Sequence, residues 1–141
     1  MPAFAWRNSV MFQHCDPAGI VFYPRYFEMI NAAIETFFAD AVGWSFARMH
    51  GRDRVGVPAA RIDTEFHAAS RLGDDLDWSL RVTRIGGASL DLVLHATGDD
   101  GSARLTARAT LVLVSLDPLK SKPWPEPTRR ALERYLEDAP Q

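Results

Sequence analysis

The stretch FQHCDPAGIVFYPRY, residues 12–26, sets Asp16 beside His14 and Cys15 and follows it closely with Phe22, Tyr23 and Tyr26. Asp16-Pro17-Ala18-Gly19 reads as a turn. Pro24 suits the first position of a helix, where a missing N–H costs nothing. The start of a helix offers unpaired N–H groups and the positive end of the helix dipole. A carboxylate folded back beside such N–H groups could attack an electrophilic carbon or activate a water, while the N–H groups take up charge developing on an oxygen. Because Pro24 has no N–H, the Tyr23 backbone is the better donor. An Asp before a Pro also serves plain turns, and both readings stand on these residues alone.

Other groups compete for the chemistry. Cys15 is the sole cysteine, so no internal disulfide forms. As a thiol nucleophile it lacks a visible His/Asn pairing. His14 could orient Asp16 or simply face solvent. Glu28 and Glu35 are rival carboxylates on the helix that follows. His50, His67 and His95 are scattered, with no metal-ligand spacing, so no metal is expected.

The elements that must position these groups are legible from periodicity. Phe4, Trp6, Val10 and Phe12 share one parity, as in a strand with one buried face. Tyr26, Met29, Ile30, Ala33, Ile34, Phe37, Phe38 and Ala41 recur at helical spacing, with Gly43 as a stop. A short helical piece is predicted over 45–50. Four alternating runs follow, in which Ala60/Ile62/Thr64/Phe66, Leu76–Val82, Leu90–Ala96 and Ala103–Leu113 supply the apolar parity. Gly86-Gly87 and Asp99-Asp100-Gly101 fall at hairpin turns. The last three strands should therefore form an antiparallel meander. A proline-rich tail from 117 ends in an amphipathic helix, TRRALERYLED. One domain over 1–141 is expected, with its core about 4–116, in an α+β arrangement.

The chain has 141 residues, 47% hydrophobic and 24% charged, with a net charge of −2. That balance suits a soluble globular domain and gives no sign of nucleic-acid binding. No run approaches the about 20 apolar residues of a membrane span, and the N-terminus has no signal-peptide core, so a cytoplasmic protein is expected. One helix covers a five-stranded sheet poorly, and Leu111–Val114 is apolar on both parities. Both features predict a homo-oligomer, a dimer or dimer of dimers.

HCDPAGIVFYPRYFE resembles the signature of the 4-hydroxybenzoyl-CoA thioesterase family, in its loop-aspartate branch. Asp16, Gly19, Ile20, Val21, Phe22, Tyr23 and Tyr26 match the pattern, and the order of elements agrees over roughly residues 4–116. The resemblance implies a hotdog fold, a five-stranded mostly antiparallel sheet wrapped around one long central helix. It implies hydrolysis of an acyl-CoA thioester to a free acid and CoA, with the site at a dimer interface. Asp16 would be the catalytic carboxylate and the Tyr23 backbone N–H the oxyanion donor. Gly19, Phe22, Tyr26, Asn31 and Arg84 would contact substrate. No cofactor is implied, CoA being part of the substrate, and the acyl group would be aromatic, hydroxybenzoyl-like, or short.

The chain departs from the family at the hairpin that meets the CoA phosphates, where basic residues give way to Gly86, Gly87 and Ala88. Arg84, Arg71, Lys120 and Lys122 are the other cations to consider. The change points to a different hold on the nucleotide or to acyl-carrier protein as the carrier. Asn31 stands where the 4-hydroxybenzoyl-CoA enzyme has Asp, which would alter the ring substituent accepted. A hotdog dehydratase and a non-enzymatic acyl-binding module are the competing readings.

Overall fold

The computed structural model describes residues 3–137. Strand β1, Phe4–Ser9, leads through a single 3-10 turn, Phe12–His14, into the candidate loop. The strand stops earlier than its apolar parity suggests. The Val10 N–H is drawn to the Asp74 carbonyl and the Met11 N–H to His14 Nδ1. Phe12 consequently points outward, 81% exposed, and is not a core residue.

Helix α1, Arg25–Phe37, runs on through a wider π-helical turn, Phe38–Val42. Gly43 ends it at φ +81°, a conformation glycine adopts without a Cβ penalty. The Trp44 N–H bonds back to the Phe38 carbonyl at 2.8 Å. Tyr26, Met29, Ile30, Ala33, Ile34, Phe37 and Phe38 are buried, while Phe27, Glu28, Asn31 and Glu35 form the exposed stripe. The expected short helical piece is α2, Phe46–Arg48, followed by a π-helical turn, Met49–Asp53.

The main sheet contains β1 and four later strands: β3 (Ala59–Phe66), β4 (Asp75–Ile85), β5 (Ser89–Gly98) and β6 (Ala103–Val112). Their order is β1-β4-β5-β6-β3, and every neighbouring pair is antiparallel. The meander β4-β5-β6 is as the turn signals predict. Leu76, Trp78, Leu80, Val82, Leu90, Leu92, Leu94, Leu105 and Ala107 face α1 and are buried. Strand β3 differs. It lies at the edge of the sheet opposite β1, and on its apolar parity Ile62 and Phe66 remain 38% and 48% exposed.

A second, three-stranded sheet pairs β2 (Val55–Gly56), β7 (Val114–Leu116) and β8 (Leu119–Ser121) in the order β2-β7-β8. It accounts for the run apolar on both parities. Leu111 and Leu113 stay in the core, while Val114 opens β7 and is buried there. That run is therefore satisfied within one chain and is no argument for an oligomer. The last helix, α3, spans Glu126–Glu133, starting and ending earlier than the tail pattern suggests; Asp138, the last residue of that pattern, lies outside the described residues. Beyond α3, Tyr135 packs edge-on against Phe4 and Phe37, and just before α3, Trp124 stacks on Phe38. The tail thus closes the end of the core near the C-terminus of α1. No helix among the described residues is long and apolar enough to cross a membrane.

Candidate active site

Residues Cys15–Val21 form a tight hairpin. The Asp16 N–H bonds to the Ile20 carbonyl at 3.0 Å and the Gly19 N–H to the Asp16 carbonyl at 2.9 Å. The Asp16 carboxylate accepts the Ala18 N–H at 2.9 Å, an Asx turn that sets the side chain's direction. Gly19 stands at φ +80° with nothing within 4 Å of where a Cβ would be. Its requirement is conformational, as in three-residue hairpin loops that end on a left-handed glycine.

The hairpin delivers the chain directly to α1. The Phe22 N–H bonds to the His14 carbonyl at 2.9 Å, and the first turn winds tightly through Arg25 N–H to Phe22 O and Tyr26 N–H to Tyr23 O. Pro24 precedes the first helical residue, Arg25. Among the described residues the Tyr23 N–H meets no acceptor, which leaves a backbone donor free at this helix start. The Tyr23 ring is 61% exposed and lies edge-on to Phe22 and Phe66. Tyr26 is buried, its ring against Phe66 at 5.6 Å. Asp16, Gly19, Phe22 and Tyr23 thus gather at one end of the helix, with Tyr26 beneath them in the core.

Asn31 lies two turns further along the exposed stripe of α1, about 12 Å of helical rise from Tyr23. It lines a cavity of about 460 Å³ whose other walls include Phe46, Val57, Pro58, Leu116 and Leu119. His50 lines the same cavity. The imidazole is held between the Phe46 ring, 6.1 Å away, and Gly56, where an added Cβ would stand 3.1 Å from its Cε1. Among the described residues neither the Asn31 amide nor the His50 ring nitrogens have a hydrogen-bond partner. Sequence reasoning left His50 as one scattered histidine. Its only signal was the four-residue spacing from Phe46, which puts both on one face of a helical turn.

The rival carboxylates have other surroundings. Glu28 pairs with Arg25 at 2.9 Å and borders a separate cavity with Trp6, Met11 and His14. Glu35 is exposed further along the helix. Arg84 is exposed at the end of β4, far along the sheet from the Asp16 hairpin's own contacts. The carbonyls of the neighbouring hairpin are occupied by the tail: Trp124 donates to Gly87 and Ser89, and Arg129 to Gly86 at 2.6 Å. Arg71 contributes its backbone, in a bridge with Ile20 of the Asp16 hairpin.

A helix cradled by an antiparallel sheet, with a loop carboxylate at the helix start, defines a class. The structure superposes on the 1,4-dihydroxy-2-naphthoyl-CoA thioesterase of Synechocystis with a TM-score of 0.84 at 20% identity, covering 92% of this chain and 95% of that one. The fold is the hotdog fold. The model of the thioesterase-like superfamily matches residues 10–132, and the chain belongs to that superfamily. It is similar to the acyl-CoA thioester hydrolase YbgC of Shigella flexneri, 26% identical over 120 residues, or 85% of this chain and 87% of the relative. It is also similar to a 1,4-dihydroxy-2-naphthoyl-CoA hydrolase of Acaryochloris marina, 23% identical over 122 residues, or 86% and 88% of the two chains.

Proposed function

We propose that the protein is an acyl-CoA thioester hydrolase with Asp16 as its catalytic carboxylate. What supports the reading is a carboxylate fixed on the hairpin that leads into α1, together with a Tyr23 backbone N–H at the start of that helix that meets no acceptor among the described residues. The thioester carbonyl oxygen takes the Tyr23 N–H. Asp16 removes a proton from a water as its oxygen bonds to the carbonyl carbon, and the tetrahedral oxyanion is held by the same N–H. Collapse breaks the C–S bond, and the thiolate leaves with the proton that Asp16 held. The products are a carboxylic acid and CoA. Direct attack by Asp16, with water then cleaving the mixed anhydride, balances equally well.

The Asn31 cavity suits the acyl group. Its lining is largely apolar with two polar side chains, Asn31 and His50, the usual composition of a small-molecule pocket. An aromatic acyl group, hydroxybenzoyl-like, fits that lining best, with a short acyl chain as the smaller occupant. The names of the relatives, two of which act on a dihydroxynaphthoyl thioester, support the aromatic reading. Phe22 and Gly19 border the approach, and Arg84 is a candidate for the CoA phosphates. Against that, Gly86, Gly87 and Ala88 supply no cation of their own, and Arg129, which reaches the hairpin, is bonded to the Gly86 carbonyl; acyl-carrier protein is therefore the second reading of the carrier.

The working form is a homodimer, formed at the open edge of β3, in which exposed Ile62, Phe66, Phe22 and Tyr23 are covered. An unpaired strand edge flanked by apolar side chains is a ready surface for a second copy. A dimer of dimers and a cytoplasmic location complete the reading. The test is thiol release from benzoyl-, hydroxybenzoyl-, phenylacetyl- and short-chain acyl-CoAs, with the same acyl groups on acyl-carrier protein. Hydrolysis of one class sustains the reading and names the substrate. No release from any of them by the intact oligomer overturns it in favour of an acyl-binding module.

A further inference from the structure

Arg104 stands on β6 at a position whose parity faces outward, yet its side chain is only 11% exposed. The guanidinium turns along the sheet toward the Ser70–Asp74 segment. Nη1 donates to Asp74 Oδ2 at 2.9 Å and to Ser70 Oγ at 3.0 Å, and Nε donates to Ser102 Oγ at 2.9 Å. The space it occupies exists because residue 98 is a glycine, where a Cβ would collide with Arg104 Nη2. The Arg104 carbonyl accepts the His67 N–H at 2.8 Å. One residue thus holds both ends of the connection between β3 and β4.

The segment it holds is the one that braces the Asp16 hairpin. Ser70 is fully buried, and its carbonyl accepts the Val21 N–H at 2.9 Å. Ile20 bridges Arg71, and the Leu72 N–H bonds to the Gly19 carbonyl at 3.2 Å. Asp74 Oδ2, shared with Arg104, also accepts the Arg71 N–H at 2.9 Å, which closes the turn. On the other side the Gly73 N–H and Asp74 carbonyl pair with Val10, just before His14. Both strands entering the Asp16 loop are therefore fastened to a turn whose two ends, Ser70 and Asp74, are bonded to one guanidinium.

We propose that Arg104 is a positioning residue for the thioesterase site, setting the Asp16 carboxylate against the Tyr23 N–H through the Ser70–Asp74 turn. The proposal rests on the reading of Asp16 as catalytic. Displacement of a reacting group by about 1 Å is enough to cost on the order of 100-fold in rate, so a clamp two contacts away acts on turnover more than on substrate binding. Arg suits the task because its planar fork reaches a carboxylate and a hydroxyl together, which a Lys ammonium does with less geometric control.

The test compares wild type, Arg104→Gln, Arg104→Lys and Ser70→Ala by two readouts. The first is hydrogen exchange at the Asp16, Val21 and Leu72 amides, which needs no activity. Exchange at least about 10-fold faster in Arg104→Gln is expected, with the β4–β5 amides unchanged. The second is hydrolysis of the best acyl-CoA, measured well below each variant's melting temperature. A kcat down by about 10-fold or more in Arg104→Gln with KM within about twofold is expected, partly restored in Arg104→Lys. If Arg104→Gln does not fold, Ser70→Ala, which removes one bond of the clamp, should show the same two changes at smaller size. Unchanged exchange at those amides overturns the clamp. Faster exchange with kcat intact, while Asp16→Asn abolishes turnover, overturns the positioning role. If wild type hydrolyses nothing, the reading of Asp16 fails and the positioning role with it, while exchange still decides the clamp.

Discussion

The Asp16 carboxylate accepts the N–H of Ala18, two residues ahead in its own hairpin, at 2.9 Å. The group proposed to do the chemistry therefore also shapes the loop that presents it. Asp16→Asn separates the two roles, because an amide oxygen can accept the same N–H. Thiol release by Asp16→Asn should fall by about 100-fold or more, with melting temperature and oligomeric state close to wild type. Asp16→Ala loses the Asx turn as well and should be less stable than Asp16→Asn.

The cavity beyond the helix start is lined by two polar groups, Asn31 and His50, that have no hydrogen-bond partner among the described residues, in a largely apolar lining. A ring hydroxyl placed there gains a hydrogen bond, and a bare ring leaves both groups unpaired. Loss of one such bond is worth about 1 kcal/mol, and because both groups are exposed in the free protein, a bare ring that covers them also takes away their water. Asn31→Leu and His50→Phe should each lower kcat/KM for a hydroxybenzoyl-CoA relative to benzoyl-CoA by about 5- to 50-fold. A preference unchanged in both variants would remove this cavity from acyl recognition.

Phe66 is 48% exposed on the edge strand β3 and touches the rings of both Tyr23 and Tyr26. Phe66→Glu places a charge on that edge, a device by which strands avoid pairing. The substitution should shift the proposed dimer to monomer in analytical ultracentrifugation, and activity should fall with it. A Phe66→Glu protein that stays dimeric would place the interface elsewhere.

Asp74 is held below the ordinary aspartate value of 3.8, first by the Arg71 N–H and then by the Arg104 guanidinium. A carboxyl whose folded pKa lies below its unfolded one stabilises the fold above the unfolded value and loses that contribution as pH falls through the folded one. Asp74→Asn should therefore melt below wild type at pH 7. The gap should close as pH falls below about 4. Thermal melts of both proteins between pH 2.5 and pH 7 measure this; a constant gap would show that the Asp74 charge contributes nothing.

Much of this architecture is written in local pattern. Alternation over Leu76–Val82 and Leu90–Ala96, and three-four spacing from Tyr26 to Ala41, state strand and helix because each apolar side chain must reach one core. The Asp16–Gly19 turn and the Gly43 stop follow from residues suited to those backbone angles. The limits fall where a residue's surroundings come from far along the chain. Phe12 and Phe66 carry the parity of buried residues, yet neither is covered, since one strand ends early and the other lies at the sheet's edge. The β2-β7-β8 sheet was invisible because strands of two or three residues carry too little alternation to register.

The candidate site divides the same way. Asp16, Gly19, Tyr23 and Pro24 are neighbours in sequence, and a tight turn before a helix needs only local backbone preferences, so their association could be read directly. His50 shares a cavity with Asn31 because the helical turns after α1 fold back onto β2, a placement set by packing across nineteen positions. Arg104 reaches Ser70 and Asp74 from thirty or more residues away, through a gap left by Gly98. Local preference brings the proposed reacting group to the start of α1; only the closing of the sheet brings distant groups against the turn that braces its hairpin, because their contacts exist once distant strands are side by side.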